Sequence, residues 1–368
     1  MKIRILTLLA AAAFFAGCNA PVGNAVKMDG KEDYRLTVLG DIHFDGKAYH
    51  IADPDPESMH GAKERNRNIA MWENGSSDAL LAAASQQSCK DTPFVIQLGD
   101  LTQGDCDNAE LQDKAFYDAV ARLKQHFPGR KTLSLVGNHD VRGLADAPES
   151  ADRVFVPLMK AELGVPVEMD GTNYALRYGK DLYIFYDYTK RSAGEFVKKM
   201  LADNVDARHI FFLTHLPLFP CSAGNPGWVI PHFEELIPLF IRHKVIVLCA
   251  HTHFFGYIQY RGEGWNIPQL TVVSMGCQWE PGRKHTEGIT SFNEWKSKIK
   301  PRYYENPDYK WSIKNLAKFK QEDFVTFTRM SYRPSGFVIL DVKNDTVTAE
   351  IHIDNSGVPE KKIVLKGK

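Results

Sequence analysis

Six apolar runs of strand length recur along the chain: YRLTVLG (34–40), PFVIQLG (93–99), KTLSLVG (131–137), DLYIFYD (181–187), HIFFLTH (209–215) and KVIVLCA (244–250). Between several of them lie stretches with helical spacing, DALLAAASQQ (78–87), NAELQDKAFYDAVARLKQHF (108–127) and FEELIPLFIRH (233–243). Strands that alternate with helices build an α/β sheet with covered faces. Runs that are apolar almost throughout, rather than at every second position, point to strands buried on both sides. Towards the end, GFVILDVKNDTVTAEIHID (336–354) reads as two strands around a Lys-Asn-Asp turn, a hairpin without helices. No internal repeat is visible, and 368 residues suffice for one large domain or two small ones.

The residues that follow these runs narrow the chemistry. The first run leads into Asp41 and His43, the second into Asp100, and the third into Asn138, His139 and Asp140. His215 ends the HIFFLTH run, and His251 and His253 follow the KVIVLCA run. Five strands thus end in a possible metal ligand, three of them directly after Gly40, Gly99 or Gly137. In an open α/β sheet, sites form beyond the carboxyl ends of the strands. Glycine there lets the chain turn sharply and brings the next side chain close to a bound ion. The donors are oxygen and nitrogen only, a set suited to zinc, manganese or iron, and the absence of a thiolate argues against a soft-metal site. Seven groups (Asp41, His43, Asp100, Asn138, His215, His251, His253) exceed one tetrahedral ion and match two ions that share a carboxylate. Singly, each motif is weak: a histidine at a strand end is usually a hydrogen-bonded structural residue, and Asn-His-Asp is ordinary turn chemistry. Their occurrence together, each at the same end of a predicted strand, is what points to one site.

The series GDIH, GD, GNHD, TH and AHTH resembles the signature of the calcineurin-like metallophosphoesterases, over roughly residues 34–275. It departs from the family pattern at Ala250, where glycine is usual. The resemblance implies an α/β fold in which a two-sheet β-sandwich is flanked by helices, with the 336–354 hairpin in the second sheet. It implies two divalent or trivalent metal ions (Mn, Fe or Zn). Asp41, His43 and His253 would hold one, Asn138, His215 and His251 the other, and Asp100 would bridge both. It implies hydrolysis of phosphomonoesters or phosphodiesters by a hydroxide generated at the metal pair, without a covalent protein nucleophile. His139 would face the leaving group as general acid or charge stabiliser. In the protein-phosphatase branch an aspartate three residues after the bridging one orients this histidine, and an Arg-Gly follows. Here Gln103 stands at that position and the Arg-Gly is missing, which leaves Asp140 or Asp105 to substitute. Gln103 also stands where purple acid phosphatases place a ligand tyrosine, and GDLT looks more like the smaller phosphodiesterase-type members. The unfilled dyad position motivates an alternative, a catalytically impaired metal-binding surface or scaffold lipoprotein. His50, Arg65, Arg67, Asn68 and Arg142 have side chains able to bind phosphate, but are read as ordinary surface groups.

The first residues, MKIRILTLLAAAAFFAGC, have a basic start and an apolar run of signal-peptide length. Ala16 and Gly17 precede Cys18 in a pattern that resembles a bacterial lipobox, with Phe15 where an aliphatic residue is usual. The expected organisation is a lipoprotein signal peptide and lipobox (1–18) lipidated at Cys18, a polar tether (19–32) and a metallophosphoesterase domain (33–368). Residues 279–321, rich in Trp, Tyr and Lys, are expected to form an insertion or lid. The protein is expected to be exported, periplasmic or outer-membrane lipid-anchored in a bacterium, and to meet the membrane through its lipid only. Lys+Arg and Asp+Glu balance at 45 each, so the expected partner is a phosphoester and no nucleic acid is expected as a bulk partner. Export implies an oxidising compartment. Of the cysteines, Cys249 reads as a packed core thiol, and a bridge between Cys89 and Cys106, which flank one strand, is left open.

Overall fold

Strand order determines where the candidate ligands can meet. The computed structural model describes residues 24–50, 62–88, 93–143, 147–164, 169, 171–190, 193–221, 227–275, 288–305, 310–330 and 334–367. Cys18, Cys89, Cys277, Trp279 and the rest of the signal stretch lie outside the described residues. The strands, in chain order, are β1 (Val26–Met28), β2 (Tyr34–Leu39), β3 (Phe94–Gln97), β4 (Lys131–Ser134), β5 (Tyr174–Tyr178), β6 (Asp181–Tyr186), β7 (Ile210–Thr214) and β8 (Val245–Cys249). They continue with β9 (Gly256–Tyr260), β10 (Ile267–Thr271), β11 (Gly288–Ile289), β12 (Phe324–Met330), β13 (Gly336–Val342), β14 (Val347–Ile353) and β15 (Lys361–Lys366). One sheet runs β1-β5-β6-β7-β8-β10-β9-β12-β11, the other β15-β14-β13-β2-β3-β4. β2, β3 and β4 are mutually parallel, as are β6, β7, β8 and β10, so each set ends together. The expected hairpin is β13 and β14, which joins the six-stranded sheet antiparallel to β2.

The continuous apolar runs are explained by two covers. Along β7, Phe211 and Leu213 belong to the core between the sheets, whereas Ile210 and Phe212 belong to the outer core. β8 repeats the pattern, with Ile246 and Leu248 inward and Val245 and Val247 outward. Between the sheets, Phe94 of β3 meets the edges of Tyr178 and Tyr183, and Tyr183 stacks on Phe211 at 4.7 Å. Emptying such a position, as in Phe211→Ala, costs about 3–5 kcal/mol in a core of this kind. The outer face is closed by helices that include Ala193–Asp203 and Phe233–His243, and the six-stranded sheet by helices Ser76–Gln87 and Ala109–His126. Asn108 starts the last of these by accepting a hydrogen bond from Leu111 N.

Two stretches differ from a simple linear reading. Val26–Met28 lies inside the 19–32 tether stretch yet pairs in parallel with Leu176–Tyr178, so ordered pairing begins before residue 33. Within 279–321, Phe292 and Trp295 pack on Phe327 of β12, and Leu316 and Phe319 enter the same outer core. The described part of that segment therefore shares the core of the nine-stranded sheet.

Candidate metal centre

The backbone bends abruptly where the strands end. His43, Asp100, His251 and His253 all adopt positive φ (47°, 53°, 64° and 56°). For residues with a Cβ this left-handed region costs roughly 1–2 kcal/mol each, and strain of this kind clusters where function requires it. Gly99, at φ 85°, makes the turn expected of it. Gly137 is needed for a different reason: a Cβ there would lie 2.2 Å from Asp100 Oδ1, so only glycine lets the two loops approach.

These bends bring all seven expected ligands together. His43 Nε2 lies 3.2 Å from His253 Nε2, and His253 Nε2 lies 3.5 Å from Asp41 Oδ1. His215 Nε2 lies 3.2 Å from His251 Nδ1, 3.0 Å from Asn138 Oδ1 and 3.2 Å from Asp100 Oδ2. Donor atoms of Asp41, His43, Asp100 and His253 fall within 4.8 Å of one another, and so do those of Asp100, His215 and His251, which makes Asp100 common to both groups. Two nitrogens each about 2.1 Å from one ion sit roughly 3.0–3.5 Å apart, the spacing of both histidine pairs. Both carboxylate oxygens of Asp41 are buried without a hydrogen-bonded donor. Buried, uncompensated carboxylate oxygens are costly. The residues present therefore fit a divalent cation.

The surroundings of three of these histidines set different protonation preferences. Burial holds His43 and His251 well below the ordinary histidine range, as neutral rings with a free lone pair. His215 differs: burial works against its charge, but Asp100 and Asp41 outweigh burial and push it up to about 9. Its Nδ1–H donates to the Leu98 carbonyl at 2.8 Å, which aims Nε2 into the site. Without a cation, then, His215 carries a proton at neutral pH, and a cation must displace it. Metal uptake at pH 7 is expected to release about one proton per chain at this residue, and affinity should climb with pH until about 9. Calorimetry in buffers of different ionisation enthalpy measures this. Proton release that does not change between pH 7 and pH 9.5 would contradict it.

His139 is oriented by a group the sequence could not reveal. Its Nδ1–H donates to the main-chain carbonyl of Gln103 at 2.8 Å, so neither Asp140 nor Asp105 fills the dyad position. Buried Asn68 holds Gln103 in turn, donating to its Oε1 at 2.6 Å. Asp105 is spent on Arg142, at 2.6 Å. Asp140 accepts from the backbone N–H of Gly137 and Thr102, at 2.8 and 2.9 Å, and of Leu101 at 3.3 Å. It thereby ties the Asp100 loop to the Asn138 loop, although burial and the charge of Asp100 push its carboxyl up to about 7. Asp140→Ala would strand these donors, a loss of about 2–4 kcal/mol and a fall in Tm of roughly 3–6 °C. Differential scanning calorimetry checks it, with Asp140→Asn expected to keep part of the stability.

Other positions also depart from expectation. His50, Arg65 and Asn68 are buried, not surface groups: His50 pairs with buried Asp45 at 2.7 Å, and Arg65 lies beside the same carboxylate. Glu64, which carried no signal, comes within 3.8 Å of His139 Nε2. Trp228 stacks on His251 with ring centres 4.8 Å apart. Cys106, Cys221 and Cys249 are buried free thiols.

Comparison with known proteins adds a family. A calcineurin-like phosphoesterase model matches residues 34–255, well over half of the chain. No curated protein matches the chain. A dimetal phosphatase structure from Danio rerio is similar at a TM-score of 0.50 and 12% identity, covering 92% of this chain and 100% of that one. The structure of PhoD is similar at a TM-score of 0.51 and 9% identity, covering 91% and 68%. At such identities the likeness is one of fold, a two-sheet α/β sandwich flanked by helices. The matched sequence, that fold and a buried Asp/His cluster fit for a divalent cation lead to one conclusion: the chain belongs to the calcineurin-like phosphoesterase family and is a metal-dependent phosphoesterase.

Proposed function

We propose that this is a dinuclear enzyme that hydrolyses phosphomonoesters or phosphodiesters with a pair of Mn, Fe or Zn ions. The observation that supports it most is the sharing of Asp100 by two ligand groups, beside a buried Asp41 whose carboxylate oxygens both lack donors. When bound, such cations acidify water and offset phosphoryl charge. The chain's own part is positioning. Asp41, His43 and His253 form one half of the cradle, Asn138, His215 and His251 the other. The Leu98 carbonyl fixes the tautomer of His215, and the Gln103 carbonyl fixes that of His139. His139 then turns Nε2 towards Arg142, where, with a second proton on Nε2 beside that on Nδ1, it would give the Nε2 proton to a departing oxygen. No side chain has to act as nucleophile. A manganese-loaded protein assayed on p-nitrophenyl phosphate and bis-p-nitrophenyl phosphate tests the reading and separates monoesterase from diesterase. Full metal content without turnover of either ester would favour the scaffold alternative.

The same proposal includes export and lipidation at Cys18, with residence in the periplasm or at the outer membrane of a bacterium. Among the described residues no helix is long and apolar enough to cross a membrane, so attachment would rest on the lipid. Cells fed a labelled fatty acid should incorporate it into the parent protein and not into Cys18→Ser. Equal labelling of both would contradict the assignment.

A further inference from the structure

We propose that Arg142 binds an anionic oxygen of the substrate on the side of the site where His139 faces the leaving group, and that the Glu64 carboxylate holds that place until substrate displaces it. This rests on the phosphoesterase reading above and assigns substrate-binding residues to it. Of the basic groups near the first and third motifs, His50 turns to Asp45, at 2.7 Å. Arg142 instead points at the reactive end of His139, with Nη1 3.3 Å from His139 Nε2. Its guanidinium is preorganised: Nη2 lies 2.6 Å from Asp105 Oδ2. Its backbone is clipped on both sides, with N–H donating to the His139 carbonyl at 3.2 Å and C=O accepting from Asp105 N at 3.1 Å. Nε and Nη2 of Arg142 are buried without a hydrogen-bonded acceptor, the approach to Asp105 being an ion pair, so the fork retains unused donors.

The space beside it already selects for negative charge. Glu64 Oε2 stands 3.8 Å from His139 Nε2 and 3.9 Å from Arg142 Nη1, and Oε1 stands 3.6 Å from Arg67. One carboxylate is thus surrounded by two guanidinium groups and an imidazole. All three separations exceed hydrogen-bond length, so Glu64 is held by charge alone, from a side chain that is one-fifth exposed. A phosphoryl group offers more charge and the oxygen spacing that an arginine fork matches, so it would win the place. Glu64 also shares a potential ligand group with His43 and His139, which puts it at the rim of the centre.

The full chain, loaded with manganese, is titrated with inorganic phosphate by calorimetry and assayed on bis-p-nitrophenyl phosphate. Loss of one charge-assisted contact predicts about tenfold weaker phosphate binding and a similar rise in KM for Arg142→Ala. Arg142→Lys should recover part of the loss, and added guanidinium should restore Arg142→Ala more than it affects the parent. Glu64→Gln should shift the opposite way and bind phosphate several-fold tighter. Phosphate affinity within twofold of the parent for both Arg142 variants would overturn the assignment of Arg142. Unchanged or weaker binding by Glu64→Gln would overturn the role of Glu64. Should Arg142→Ala fold poorly, as read by its thermal transition, Arg142→Lys carries the comparison, with a several-fold loss expected. The parent separates the two readings: if it binds phosphate but hydrolyses no ester, the proposed function fails while the Arg142 comparison stands.

Discussion

Asp100→Asn is expected to lower kcat/KM by on the order of 10³ while leaving the fold intact. That corresponds to about 4 kcal/mol of lost transition-state stabilisation. Asparagine tolerates the left-handed backbone that Asp100 adopts (φ 53°), and its amide oxygen can still accept from His139 N, as Oδ1 does now at 2.8 Å. Only the charge and one ligand oxygen are lost. Because Asp100 belongs to both ligand groups, its loss weakens both and, in the proposed dinuclear centre, would leave the two cations less screened from each other. Replacing a ligand of one group alone, such as Asn138→Ala, should be milder. Steady-state kinetics with metal content measured on the same samples checks this. Near-normal turnover by Asp100→Asn would remove Asp100 from the shared position.

The second large effect concerns His139. His139→Ala is expected to lower kcat by roughly 10²–10⁴ on esters with alkyl leaving groups, the range for loss of a general acid. On p-nitrophenyl esters, whose leaving group departs without a proton, the loss should be much smaller. The dependence follows from geometry: Nδ1–H is committed to the Gln103 carbonyl, so only Nε2, beside Arg142, is left to deliver a proton. Metal content should change little, because His139 is not one of the seven proposed ligands and its Nε2 lies by Arg142 and Glu64. Equal losses for both leaving groups would show that His139 stabilises charge and does not deliver a proton.

Much of this site was legible because its ligands are attached to the strongest signal in the sequence. Runs such as IFFLTH and IVLCAHTH mark a buried strand and its ligand in one stretch, and parallel strands end together. What escaped lies in main-chain atoms and in tertiary packing. No residue type at position 103 announces a carbonyl that orients His139. Glu64 lies on helix Ala62–Glu73, whose sequence AKERNRNIAMWE shows little amphipathic pattern, and packing alone brings it to the site. Asp140 has the right side chain for a dyad partner, but three backbone N–H groups claim it first. His50 looks like a surface charge until buried Asp45 is seen to draw it inward, and Arg65 is likewise buried. Val26–Met28 is too short to read as a strand and forms one only because the edge of β5 accepts it.

The most direct test is an anomalous diffraction map combined with elemental analysis of the purified protein. Two peaks are expected at the end of the sandwich, one against Asp41, His43 and His253 and one against Asn138, His215 and His251, with Asp100 touching both. A single ion, or ions away from Asp100, would contradict the dinuclear centre.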